Sequence, residues 1–215
     1  IKFNDGDSPY LSRTPSSTGN RRTFTISCWL KRCALGTHQM FFNVYPDASN
    51  DFQFAFLSGD TLEVIEETSG SATWRLTTNR LFRDVGAWYH IVLAVDTTQS
   101  TSSDRAKIYV NGVQETSFAT ANYPAQDYEG FINRNRVHYI GNASGNSMYF
   151  EGAMSHVHFI DGTAYAPTVF GSTDSTTGQW TINTSPSITM GNNGFTILKD
   201  GSTITDQSAN SNNFS

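Results

Sequence analysis

The sequence predicts an all-β protein, folded as a two-sheet antiparallel sandwich of the jelly-roll type with roughly ten to fourteen strands. Apolar and polar residues alternate over many short segments, which is the pattern of a half-buried strand. Aromatic residues make up 13% of the 215 residues and charged residues only 15%, a balance that suits a sheet protein with polar loops. Helical periodicity is almost absent, so a helical bundle is excluded.

The first half of the chain supplies the clearest strands. Residues 23–32 place Phe24, Ile26 and Leu30 on one face and polar residues on the other. Four further strands are predicted over 38–45, 51–58, 61–67 and 72–78. Gly59-Asp60 lies between two of them and predicts a tight hairpin turn.

The second half contains the strand that should lie most centrally. Residues 88–96 are apolar on both faces, which predicts cover on each side of the sheet. Asn111-Gly112 within 106–114 is a strong hairpin signal. Further strands are expected over 136–142 and 147–161, the latter bending at Gly152, and 166–171 could form a helical turn.

Composition changes after residue 171. Residues 1–171 form the predicted sandwich, and residues 172–215 are a Ser/Thr/Asn-rich extension expected to pack on the same domain, with short strands at 179–182 and 194–198. The sequons Asn142-Ala143-Ser144 and Asn183-Thr184-Ser185 indicate surface loops. Because the sequence begins at Ile1, we expect it to be a segment of a longer polypeptide.

Charge and cysteine content exclude several classes of function. The net charge is -5 and the basic residues are scattered, which argues against nucleic-acid binding. No apolar run approaches the roughly 20 residues of a membrane helix. Cys28 and Cys33 lie five residues apart near one predicted strand, too far apart for a disulfide if the chain is extended, so two free thiols are expected.

Several segments resemble one known family. WYHIVLAVD (88–96) followed by AKIYVNGVQ (106–114) resembles the core hairpin of laminin-G-like, concanavalin-A-type jelly-roll domains. Residues 10–32 are similar to the early strands of that family, and residues 139–165 to its closing segment. Together with FGSTDSTTG (170–178), these strings resemble laminin-G-like domains in structural proteins of tailed, especially marine, bacteriophages.

The resemblance implies a non-catalytic structural, decoration or fibre domain of a phage particle. Such a domain would be made in the host bacterial cytoplasm and located in the virion. It would contact other virion proteins as a homo-oligomer, or attached to an oligomeric particle, and would bind cell-surface glycan. Two alternatives stay open: a free carbohydrate-binding lectin module, and a polysaccharide hydrolase.

Candidate site residues follow from these readings. Flat aromatic rings can stack on sugars, so Trp74, Tyr149 and Tyr45 are candidate glycan contacts, with Arg75, Asn43 and Asp51 as hydroxyl partners. Glycosidases of this fold carry paired glutamates, and Glu63 and Glu67 have the spacing. Ile65 replaces the aspartate that those enzymes place between them, which favours a non-enzyme.

Relatives of this fold also hold calcium through loop carboxylates. The resemblance therefore makes Asp5, Asp7 and Asp161 candidate calcium ligands, with turn formation by Asp-Gly as the alternative. Ser155 stands where many phage-type relatives carry an acidic residue, so part of that ligand set is missing. No other cofactor is expected.

Overall fold

Alternation along each strand brings the large apolar side chains to one side, and two sheets bury these sides against each other. The structure, a computed structural model, describes residues 1–142 and 147–215. Within them lie two antiparallel seven-stranded sheets and one small two-stranded sheet. The predicted all-β sandwich is confirmed.

The first sheet has the spatial order β1-β13-β3-β8-β9-β10, with β16 also pairing with β13. Its strands are β1 Lys2–Phe3, β3 Thr23–Arg32, β8 Tyr89–Asp96, β9 Ala106–Val110, β10 Val113–Gln114, β13 Gly152–Asp161 and β16 Phe195–Ile197.

The second sheet has the order β11-β7-β6-β5-β4-β12-β2. Its strands are β2 Leu11–Arg13, β4 Gln39–Asp47, β5 Asn50–Phe56, β6 Thr61–Thr68, β7 Ser71–Leu81, β11 Phe118–Asn122 and β12 His138–Ile140. The small sheet pairs β14 Gly171–Thr173 with β15 Trp180–Ile182.

The main core lies between the two sheets and is rich in phenylalanine. Phe42 of β4 and Phe159 of β13 meet across it with ring centroids 6.3 Å apart. Phe54 and Phe56 of β5 are fully buried in the same cluster. Each such ring contributes about 2–3 kcal/mol through removal of its surface from water.

A second, smaller cluster lies on the outer face of the first sheet. Val92 of β8 and Ile160 of β13 pack there against Phe170, with Ile188 and Met190 partly buried around them. The prediction that residues 88–96 are covered on both faces is confirmed, because Ile91 and Leu93 belong to the main core.

The turns agree with the sequence, whereas β11 was not predicted and the strand expected over 147–161 is shorter. Asn111 and Gly112 both have positive φ, 49° and 81°, as the two-residue hairpin turn requires. The strand expected over 147–161 begins only at Gly152, and a bulge interrupts its pairing between Ser155 and His158. His156 has φ 47° inside that bulge.

Three short 3-10 helices complete the described residues, including one at Pro167–Val169 where a helical turn was expected. No helix among the described residues has the length and hydropathy needed to cross a membrane. Cys28 is buried and Cys33 exposed, and both are free thiols as expected. Residues 143–146, which include most of the first sequon, lie outside the described residues, whereas Asn183 is exposed.

Candidate functional site

A line of side chains crosses the second sheet on its outer face. Register pairing sets Tyr139 beside Asn43, Asn43 beside Gln53, and Arg75 beside Ile65. Positions one residue along, such as Phe42, lie in the core instead. We call this line the polar row; from edge to edge it consists of Ser12, Tyr139, Asn43, Gln53, Ile65, Arg75 and Asn122.

Arg75 lies between two carboxylates of the neighbouring strand. Its Nε is 3.8 Å from Glu63 Oε2 and its Nη2 is 3.7 Å from Glu67 Oε1. Thr77 Oγ1 donates to the same Glu63 oxygen at 2.7 Å. The Arg75 side chain remains 37% exposed, so a ligand can reach the guanidinium while both glutamates hold it in place.

Two acceptors at the floor of this face lack a protein donor. Asn43 is fully buried and Asp51 is 4% exposed, yet Asn43 Oδ1 and Asp51 Oδ1 have no hydrogen-bond partner among the described residues. Gln53 Nε2 donates to the other Asp51 oxygen at 2.6 Å. Burial raises the pKa of Asp51 to about 6; the Gln53 hydrogen bond opposes that shift and the charge of Glu67 adds to it.

Aromatic rings flank the polar row at one end. Tyr139 is half-buried and meets the exposed Tyr10 edge-to-face, with ring centroids 5.7 Å apart. Tyr45 follows Asn43 by two residues along β4 and is half-buried, at the irregularity in the pairing of β4 with β5 between Val44 and Asp47. Tyr10 and Tyr139 were not predicted as glycan contacts, although residues 136–142 alternate as a strand does.

The other predicted glycan contacts are placed differently. Trp74 is 2% exposed and belongs to the main core, where it packs on Phe52. Its ring therefore offers no free face, and its assignment as a glycan contact was wrong. Tyr149 is half-buried in the segment before β13, next to Met148, whose carbonyl accepts a hydrogen bond from the Met40 amide.

The predicted calcium ligands do not come together. Phe3 pairs with Gly152 at one end of β13, and Asp161 is at the other end, so Asp5 and Asp7 lie roughly 30 Å from Asp161. Asp161 is also saturated with N–H donors: Asn20 N, Asn133 Nδ2 and Asn193 N. In the described part of the chain, no three His, Cys, Asp or Glu side chains are grouped to hold a metal. The three aspartates do not form a calcium site.

One pair resembles a nucleophile and its base but has the wrong protonation. Ser27 Oγ lies 2.9 Å from His90 Nε2. Trp180 Nε1 donates to His90 Nδ1 at 3.0 Å, and because an indole only donates, the proton of neutral His90 must be on Nε2. Burial lowers the pKa of His90 to about 3. His90 therefore cannot accept a proton from Ser27.

The polar row and the residues beside it thus bring buried acceptors, an arginine between two glutamates, and tyrosines together on one face. Such a surface can bind a polyhydroxylated molecule through hydrogen bonds and ring contacts. The two glutamates that could serve in hydrolysis both face the Arg75 cation, with Ile65 between them along β6. With both glutamates directed at Arg75, the arrangement suits binding of such a molecule better than its hydrolysis.

Comparison with known proteins identifies the family of the fold. The family model Laminin_G_3, described as the concanavalin A-like lectin/glucanases superfamily, matches residues 5–170. No curated protein sequence matches the chain.

Solved structures with a similar fold include a heptameric SAP-like pentraxin of Limulus polyphemus, at 17% identity and TM-score 0.50, covering 76% of this chain and 72% of that one. Domain 4 of the arabinanase AbnA of Geobacillus stearothermophilus, in complex with arabinotriose, has 21% identity and TM-score 0.53, covering 73% and 68%. Domains LG4-5 of the mouse laminin α1 chain have 14% identity and TM-score 0.50, covering 76% and 42%.

Proposed function

Because the chain belongs to the concanavalin A-like lectin/glucanase superfamily, we propose that it is a non-catalytic carbohydrate-binding domain whose ligand lies on the polar row. The fold is lectin-like; the location of the ligand on the polar row and the non-catalytic role are what we propose here.

The observation that carries this proposal is the pair of buried acceptors. Asn43 Oδ1 and Asp51 Oδ1 lack partners in the part of the chain that the structure describes, and leaving such groups unpaired costs roughly 1–3 kcal/mol each. Sugar hydroxyls are hydrogen-bond donors that can pair with them. Tyr139, in register with Asn43, supplies ring surface beside that acceptor. Domain 4 of the arabinanase, similar in fold, was solved with a bound oligosaccharide, which supports the same class of ligand here.

Binding to immobilised glycans tests the proposal. We expect Arg75→Ala and Tyr139→Ala to weaken binding at least tenfold, because each removes a contact on the polar row. Arg80→Ala is the matched control, since Arg80 lies on the same strand and pairs instead with Glu115. Trp88→Ala is the aromatic control, because Trp88 is exposed immediately before β8 in the first sheet. Equal binding by all four variants would contradict the assignment.

The absence of catalysis is also part of the proposal. If Glu63 and Glu67 were catalytic, incubation with polysaccharides would release reducing ends, and Glu63→Gln would abolish that release. We expect no release by the wild-type protein. Activity lost in Glu63→Gln would establish the hydrolase alternative instead.

We propose further that this module is carried on a tailed bacteriophage particle as a decoration or fibre domain. The strings at residues 10–32, 139–165 and 170–178 support this setting, in which other virion proteins would hold the module as part of an oligomer. Mass spectrometry and cryo-EM of purified particles test it. Particles that lack the chain, together with a secreted soluble form, would favour the free lectin module.

A further inference from the structure

We infer that the polar row selects ligands that donate hydrogen bonds. This inference rests on the proposed glycan-binding function. Neutral and amino-bearing glycans would bind, and glycans carrying carboxylates or sulfates would be rejected.

The charges on this face are the first support. Glu63, Glu67 and Asp51 are three carboxylates, and Asp51 is directly in register with Glu67. Arg75 is the cation placed among them, and its two contacts at 3.7 and 3.8 Å are both with these glutamates. An anionic sugar would face a surplus of negative charge at short range, where screening by salt is least effective.

The unpaired atoms are the second support. Asn43 and Asp51 are each more than nine-tenths buried, and in both the unpaired atom is an acceptor oxygen, while Arg75 Nε on the same face is a buried donor without a hydrogen bond. A carboxylate or a sulfate group also offers only acceptors, so the charged group itself cannot satisfy either oxygen, and only the hydroxyls of an acidic glycan could do so. A hydroxyl can donate to them, and an ammonium donates with the added strength of its charge.

Capture of an anionic sugar by Arg75 would require displacement of a glutamate. Glu67 is 28% exposed and Glu63 is 10% exposed, so both would remain close to the ligand after such a displacement. Arg75 therefore orients neutral ligands by donating to their oxygens, and it does not serve as an anion receptor.

Binding of ligands that share one skeleton tests the inference. The probes are β-1,4-linked oligomers of glucose, glucosamine and glucuronate, together with an array of neutral, amino-bearing and acidic glycans of other linkages. We expect binding confined to the neutral and amino-bearing members. Binding of the acidic members with equal or greater affinity would overturn the inference and leave the proposed function intact. Absence of binding by every class would overturn both.

A charge variant makes the test specific to this face. Glu67→Gln should reduce the preference for an amino-bearing over a neutral ligand by about three- to tenfold, the effect of one partly exposed charge. Glu129→Gln is the control, because it removes the same charge from a loop where Glu129 pairs with Arg21 and Arg22. An equal change in both variants would mean that net charge, and not the polar row, sets the preference.

Salt dependence of the wild-type protein gives a measurement that needs no variant. Raising ionic strength should weaken binding of the amino-bearing ligand and leave binding of the neutral one unchanged. Stronger binding of the amino-bearing ligand at high salt would contradict an attractive charge at the site.

Discussion

A buried carboxyl in the core should make the stability of this protein depend on pH. Glu66 is 2% exposed on the core side of β6. Its Oε1 accepts hydrogen bonds from Tyr128 Oη at 2.6 Å and from Phe131 N at 3.0 Å. Burial raises the pKa of Glu66 to about 7, while those two bonds and the charge of Arg134 partly oppose the shift. We therefore predict the effect of Glu66→Gln, which cannot ionise.

The sign and size follow from proton linkage. A carboxyl with a raised pKa in the folded state binds its proton more tightly there, so its contribution to stability is complete below pH 4.5 and is lost as pH rises through 7. The difference from 4.5 to about 7 corresponds to about 3 kcal/mol of unfolding free energy. Glutamine keeps the acceptor for Tyr128 and Phe131, so the other effects of the substitution are independent of pH.

Urea unfolding at pH 5 and pH 8.5, followed by tryptophan fluorescence, measures this effect. The unfolding free energy of Glu66→Gln minus that of the wild type should rise by about 2.5 kcal/mol between the two pH values. The pH-dependent contributions of the other titrating groups are the same in both proteins, so they cancel in this difference. Tyr128→Phe removes a bond that favours the ionised carboxyl, so it should extend the loss of stability to higher pH. A difference that stays constant within 0.5 kcal/mol would refute the reasoning.

Three further predictions concern stability and use the same unfolding measurements. Asp161→Asn should cost about 2–4 kcal/mol, because one accepting oxygen becomes an amide facing N–H donors; a loss below 1 kcal/mol would contradict this. Asp60→Asn should cost about 3 kcal/mol, since fully buried Arg32 loses its counter-ion at 3.1 Å; unchanged stability would show that Arg32 is neutralised elsewhere. Burial lowers the pKa values of His90 and His158 to about 3, so both are neutral in the fold. What each histidine contributes to the free energy of unfolding is complete above pH 6.5 and falls by about 2 kcal/mol at pH 5. The Glu66→Gln protein lacks the opposite pH dependence of Glu66, so an equal free energy of unfolding at pH 5 and pH 7 in that protein would contradict the prediction.

The sequence predicted what depends on local patterns. Alternation and turn residues located most strands, because a half-buried strand and a two-residue hairpin each leave a signal within ten residues. The same alternation places Glu66 with Leu62 and Val64, and Trp74 with Leu76, on the core side. The prediction of Trp74 as a glycan contact did not apply that pattern.

The candidate site depended on contacts that no local pattern reveals. Asp161 is held by Asn20, Asn133 and Asn193, which come from three distant segments, so its saturation by N–H donors could not be read from FIDG alone. Likewise, the closeness of Tyr10 and Tyr139 depends on the pairing of β2 with β12, which joins residues more than 120 positions apart.

The two outer faces of the sandwich differ, and this difference determines where a ligand can bind. On the first sheet, Trp180 stacks on His90, and Phe170, Ile188 and Met190 cover Val92 and Ile160. A Cβ at Gly112 would lie 2.4 Å from the Trp180 ring, so Trp180 packs on Gly112 too closely for a side chain at position 112. Trp180, Ile188 and Met190 all follow residue 170, where the family match ends. Part of the chain beyond that point therefore covers the outer face of the first sheet, whereas Asn43 Oδ1 and Asp51 Oδ1, which lack protein donors, lie on the second sheet, which is why we place the ligand there.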